Sequence, residues 1–281
     1  MKNTFAKTLE DLINVAGYAV SVEEQFIDKN NGVTLRGYII HENGSSISPT
    51  IYYNEEKSEN ENLHGMFDAY IRERENGPKF LVKDIMEKGY VLNHLTFKLI
   101  NKELNKDLLE DVPHVDFLDL AKVFVVDCTS EGDNNRATIL LHNSHLKYLG
   151  ITLEDLESHA TSLWGFECKG ILEYLAGLYG MPSPDEVDGP PMYIVTNEAK
   201  LFGAGLMAVP DALKRVSQIT GLKEFTIIPS SIHEILVIDD SLPAEGVLEM
   251  VMDINANEVS PEEKLADSVY HYDGKKLSKV A

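Results

Sequence analysis

Between Tyr18 and Tyr53 the chain reads as three β-prone segments parted by two glycine turns, an order that few folds accommodate. Tyr18–Asp28 alternates in part between apolar and polar residues, Asn30-Asn31-Gly32 signals a turn, and Val33–Glu42 and Ile47–Tyr53 flank a second turn at Asn43-Gly44. The arrangement predicts a three-stranded antiparallel meander. Phe5, Leu9, Leu12, Ile13 and Ala16 recur at helical spacing ahead of it. Met66, Phe67, Tyr70 and Ile71 do so behind it, up to the breaker Asn76-Gly77-Pro78. Residues 1–78 therefore read as an N-terminal α-β-β-β-α module.

The remainder mixes the two periodicities. Leu95–Ile100 reads as a strand and Lys102–Asp111 as a short polar helix. Leu120–Cys128 and Arg136–His142 read as the arms of a long hairpin around Thr129–Asn135. Thr152 caps a helix, with Asp155 where a capping box usually carries Glu. Trp164 extends that helix-like pattern (Leu153, Leu156, Ala160, Leu163) and is expected in the core, and a second helix covers Glu167–Tyr179. Gly180–Pro191 (GMPSPDEVDGPP) is the strongest linker signal. Beyond it lie expected strands at Met192–Thr196, Ala204–Val209, Glu224–Ile228 and Ile232–Asp239. Helices are expected at Asp211–Thr220 and Val247–Asn257, and Ser260-Pro261-Glu262-Glu263 opens a short last one. The expectation is an α+β fold with antiparallel or mixed sheets and flanking helices. A central hairpin-and-helix segment spans 79–180 and a C-terminal αβ unit spans 191–281, the last two able to form one domain.

Composition sets the class. Hydrophobic residues make up 43% of the 281 residues and charged residues 25%, enough to bury a core. The net charge of −21 disfavours direct nucleic-acid binding and anionic membrane surfaces, both of which need Lys and Arg. Acidic side chains exceed basic ones in every third of the chain, so the excess describes a solvated shell rather than an acidic tail. Met1–Ala16 lacks the apolar core of a signal peptide, and no apolar run approaches the ~20 residues of a spanning helix. Cys128 and Cys168 match no metal or redox spacing and are expected as reduced thiols. A cytoplasmic protein is implied.

Gly-x-Gly-x-x-Gly, Walker, Gly-x-Ser-x-Gly and His-Glu-x-x-His motifs are absent, so no cofactor is implied; Gly203-Ala204-Gly205 reads as close backbone packing at the start of a strand. Three local constellations could carry chemistry. Ser231, His233 and Glu234 supply a hydroxyl, an imidazole and a carboxylate, the groups of a nucleophile, base and orienter. Alternation separates Glu234 from the other two on an extended segment, and the bland alternative is a hairpin corner whose serines bond free backbone groups. His142 and His145 would share one face of a helical turn and could hold a metal if a third ligand such as His233 or His114 converged; alternatively Asn143 or Ser144 caps the turn and His145 is a surface side chain. His114 with Asp116 and Asp119 could form a tuned imidazole or an ordinary loop.

Several phrases together carry a resemblance. They are Ser48-Pro49-Thr50-Ile51-Tyr52, Leu109-Glu110-Asp111-Val112-Pro113-His114, Phe117-Leu118-Asp119-Leu120-Ala121, ILLHNSHL at 139–146, MYIVTN at 192–197, Gly203-Ala204, IPSSIHE at 228–234 and ADSVYHYD at 266–273. In combination the chain resembles a family of uncharacterised proteins, a domain of unknown function, from anaerobic and mainly gut-dwelling Firmicutes. The resemblance implies a bacterial cytoplasmic protein and brings no activity, cofactor or catalytic residue. Where the family favours Leu-Ser-Asp, this chain has Leu265-Ala266-Asp267. Three functional classes stay open: a noncatalytic binding or regulatory protein engaging a protein or small molecule; a hydrolase or metal-assisted hydrolase using Ser231/His233 or His142/His145; and an acidic decoy of a DNA-binding protein.

Overall fold

The computed structural model describes residues 4–45, 47–77, 82–129, 136–160, 164–180, 191–209, 211–229 and 231–281. Two compact units emerge, Met1–Ile85 with Cys128–Ala137, and Met86–Asp127 with Thr138–Ala281. The fold is α+β, with antiparallel pairing throughout the described sheets.

The first unit follows the periodicities. Helix α1 (Thr4–Val15) buries Phe5, Ala6, Leu9 and Ile13 along one stripe. Strands β1 (Val20–Asp28), β2 (Thr34–Glu42) and β3 (Thr50–Tyr52) form a sheet in that order. The β1–β2 turn is possible because Asn31 adopts a φ of 61°, a left-handed conformation that asparagine tolerates better than most residues. Helix α2 (Glu59–Asn76) starts at Ser58 with a capping box to Glu61 and stops at Gly77. The two helices and the sheet share one core in which Tyr38, Ile40, Met66 and Tyr70 pack with the apolar stripe of α1.

In the second unit, α3 (Lys88–Asn93) precedes β4 (Leu95–Asn101), and α4 (Lys106–Asp111) precedes β5 (His114–Phe117), β6 (Leu120–Asp127) and β7 (Thr138–Leu140). Strand β6 is the spine of this sheet, pairing with β4 along one edge and with β5 and β7 along the other. The segment expected as a loop at 113–119 is thus a strand and a tight turn. Leu118 closes that turn at a φ of 56°, which costs a non-glycine residue about 1 kcal/mol. Glycine and asparagine, the usual announcers of such a turn, are missing there.

Next come α5 (Asn143–Leu149) and α6 (Leu153–His159), the latter capped reciprocally by Thr152 and Asp155. Trp164 does not extend α6: the helix ends at His159, and Trp164 is half-buried with a φ of 50°. The expected helix at Glu167–Tyr179 is a strand, β8 (Glu167–Gly170), and then a helix, α7 (Ile171–Tyr179). The linker signal falls largely on 181–190, outside the described residues.

A six-stranded sheet then forms from β8, β9 (Met192–Thr196), β10 (Phe225–Ile228), β11 (Ile235–Ile238), β12 (Tyr270–Tyr272) and β13 (Leu277–Lys279), in the order β13-β12-β10-β11-β9-β8. Helices α8 (Ala212–Thr220) and α9 (Ala244–Asn257) flank these strands in sequence. Val247 and Val251 of α9 pack with Ile228, Ile238 and Val269. The expected strand at Ala204–Val209 is a 3-10 turn, Gly203–Ala208. Its packing against neighbouring backbone is real: a Cβ at Gly203 would stand 2.4 Å from the His233 carbonyl and 2.5 Å from Thr196 Oγ1. The expected last helix is a single turn at 261–263, after which Lys264 bridges to Ser231. Among the described residues, no helix is long and apolar enough to cross a membrane.

Candidate functional site

Strand β12 places chemistry on both of its faces. Tyr270 and Tyr272 are buried while His271, between them, points the other way. The Tyr270 hydroxyl donates to Asp119 Oδ1 at 2.6 Å, and Ser268 Oγ and Lys279 Nζ donate to Asp119 Oδ2 at 2.7 and 3.0 Å. Burial pushes the Asp119 carboxyl up, and these donors together outweigh it, holding the group below the ordinary carboxylate range. The same node drives the Tyr270 phenol upward, through burial first and the facing carboxylate second.

Asp119 also borders an open cleft of about 390 Å³ lined by Lys102, Glu103, Lys106, Leu109, Glu110, His114 and Asp119. The β5–β6 turn supplies Asp119, β5 supplies His114, the approach to α4 supplies Lys102, and the first residue of α4 is Lys106. Two lysines are paired, Lys102 with Asp116 at 2.6 Å and Lys106 with Glu103. His114 Nδ1 lies 2.9 Å from the Val112 carbonyl, so Nδ1 carries the proton and Nε2 holds the ring's lone pair when neutral. The sequence had coupled His114 with Asp116 and Asp119; the fold binds each carboxylate to lysine and leaves the imidazole on the cleft wall.

Ser231, His233 and Glu234 sit in the link between β10 and β11, before β11 begins at Ile235. Ser231 Oγ accepts the His233 backbone N–H at 2.9 Å, and its hydroxyl donates to the Glu234 carboxylate. Burial raises the Glu234 carboxyl against that bond. His233 Nδ1 accepts the Phe202 N–H at 3.3 Å, which places the ring proton on Nε2, 3.6 Å from Glu263 Oε1. In this arrangement the hydroxyl serves a carboxylate and a backbone amide, and the imidazole lone pair serves a backbone amide. His233 also stacks on Phe202, centroids 5.9 Å apart, and Phe202 lies 6.2 Å from Trp164. Phe202 and Trp164, both at positive φ, form a strained aromatic row that composition and periodicity do not announce.

His142 and His145 stand at the start of α5, rings 5.5 Å apart. His142 Nδ1 faces Asp111 Oδ2 at 2.8 Å, and the His142 N–H donates to His145 Nδ1 at 3.1 Å. His145 therefore keeps its ring proton on Nε2, and burial, then the neighbouring His142, lowers its basicity. Only His142 presents a nitrogen lone pair outward in this arrangement. Cys128 is buried, and burial pushes the half-buried Cys168 thiol up to about 11, far from a reactive thiolate.

On the opposite face of β12 the fold gathers residues that local reading passed over. Among the described residues, Glu224, Asp240 and His271 form a group of potential ligand atoms within 4.8 Å of one another. Their convergence follows from register. Thr226 lies opposite Ile238 on one side and His271 on the other. Continuing the ladder two residues brings Glu224 opposite Asp240, on the face shared by Thr226 and His271. The signal lay in strand pairing rather than in any contiguous motif, so no spacing search would find it.

No curated protein and no solved structure matches the chain. Residues 2–274 match the profile of a family of unknown function, DUF5688. The match spans nearly the whole sequence, and the chain belongs to that family.

Proposed function

We propose that this is a bacterial cytoplasmic binding protein without catalytic activity, whose ligand is a small zwitterionic molecule held in the cleft around His114. The observation that carries this reading is the cleft's lining: ammonium groups at Lys102 and Lys106, carboxylates at Glu103 and Glu110, and the His114 imidazole converge around Leu109. A volume of about 390 Å³ is at the small end of ligand pockets. Mixed charges around one apolar contact suit a molecule bearing both signs, such as an amino acid or short peptide. The engagement of Ser231, His233 and Glu234 with one another and with backbone amides favours binding over hydrolysis at that corner. The spread of acidic residues through the sequence tells against a DNA-mimicking stripe.

The test is calorimetric titration of the full chain with amino acids and dipeptides, alongside mass spectrometry of molecules retained from a bacterial lysate. Saturable binding weakened by about tenfold or more in His114→Ala, roughly 1.4 kcal/mol, supports the reading. Retention of full affinity in both His114→Ala and Lys106→Ala overturns it, as does the absence of any bound zwitterion.

A further inference from the structure

The geometry points to a divalent transition-metal site on the polar face of β12, made by Glu224, Asp240 and His271, with zinc as its reference ion. The site is separate from the cleft's lining residues and stands or falls independently of the cleft's ligand. Its ligands come from three adjacent strands: Glu224 precedes β10, Asp240 follows β11, and His271 is the middle residue of β12. The backbone ladder fixes their spacing before any side chain turns.

Distances fit a shared ion. His271 Nε2 is 3.0 Å from Asp240 Oδ2 and 3.9 Å from Glu224 Oε2. Ligand atoms about 2.1 Å from one zinc stand roughly 3.0–3.5 Å apart, so a small rotation of the exposed Glu224 carboxylate completes the set. The direction of the imidazole is more telling. Nε2 is shielded from solvent and makes no hydrogen bond, because Oδ2 lies too far off the N–H direction despite its 3.0 Å approach. An ordinary imidazole–carboxylate pair would align donor with acceptor. Side-by-side placement of this kind is what two ligands of one ion require.

The surroundings agree. Thr226 Oγ1 donates to Asp240 Oδ1 at 2.8 Å, fixing the carboxylate and leaving Oδ2 for the ion, the role outer partners take around metal ligands. Two carboxylates match the charge of a dication, and an imidazole nitrogen selects zinc-like ions over magnesium or calcium. Three protein ligands leave the remaining coordination positions to water or a bound molecule.

The test uses the full chain stripped with a chelator and titrated calorimetrically with Zn²⁺ alone, then with Mg²⁺. One-to-one zinc binding is expected, with magnesium at least about a hundredfold weaker. Asp240→Asn and His271→Gln should each weaken zinc binding by about a hundredfold or more, and Thr226→Val by about tenfold. Cobalt(II) added to the wild-type chain should give visible ligand-field bands that His271→Gln lacks, a readout that does not depend on the aspartate variant folding. Absence of stoichiometric zinc binding by the wild-type chain overturns the site. So does unchanged zinc affinity in His271→Gln, or cobalt bands that survive that substitution.

Discussion

The two faces of β12 treat carboxylates in opposite ways. Behind Tyr270, Asp119 is met by three side-chain donors within 3.0 Å, and burial is more than compensated. Behind His271, two exposed carboxylates crowd an imidazole whose inner nitrogen has no hydrogen bond. A half-buried acceptor with its donors in place ties strands together and has little left to offer a ligand. A solvent-shielded nitrogen left unsatisfied costs folding free energy and keeps its chemistry available. Satisfied hydrogen bonds and the proposed metal ligands thus lie on opposite sides of one three-residue strand.

Substitutions on the two faces should separate accordingly. The largest effect is expected for Asp119→Ala, which orphans the Tyr270 and Ser268 hydroxyls and should lower unfolding free energy by about 2 kcal/mol. Urea unfolding checks this, and a loss below about 1 kcal/mol would erase the contrast between the faces. Tyr270→Phe keeps the ring and removes one donor, so about 1–1.5 kcal/mol should be lost at neutral pH.

Acid sharpens the same comparison. The folded Asp119 carboxyl titrates below its ordinary value, so its stabilisation is present above about pH 4 and disappears as pH falls through the lowered folded value. Tyr270→Phe brings that folded value back toward the ordinary one. The stability gap between wild type and Tyr270→Phe should therefore narrow on acidification, measured by urea unfolding at pH 7 and near pH 3. A gap that widens would break the assignment. The smallest effect is expected on the other face: in chelator-treated protein, His271→Gln should change unfolding free energy by no more than about 0.5 kcal/mol. A loss comparable to that of Asp119→Ala would make His271 structural.

Local physics made much of the fold legible. The stripe Phe5, Leu9, Ile13 and the turns at Asn30–Gly32 and Asn43-Gly44 suffice for α1 and the first sheet, because each depends on residues near in sequence. Thr152 and Asp155 announce α6 for the same reason. The strands β5 and β13 were not legible. His114–Phe117 and Leu277–Lys279 are short, carry charge, and become strands by pairing with β6 and β12. The 3-10 turn at 203–208 is apolar enough to imitate a strand, and its contact with Thr196 and His233 bends it otherwise. The site residues divide in the same way. His114 stood out through its acidic neighbours, whereas Glu224, Asp240 and His271 are brought together by a register that only the folded sheet defines.

The margins of the six-stranded sheet have a consequence for the molecule in concentrated solution. An open strand border can recruit a second chain by backbone pairing and so seed fibres. Here β13 is a mere three residues and places Lys279 against Asp119, while β8 carries the Glu167–Lys169 ion pair. Brief, charged borders give an incoming strand little backbone to copy, and the acidic shell repels it before it arrives. Self-association through sheet extension is thus opposed at both ends of the sheet by the fold itself.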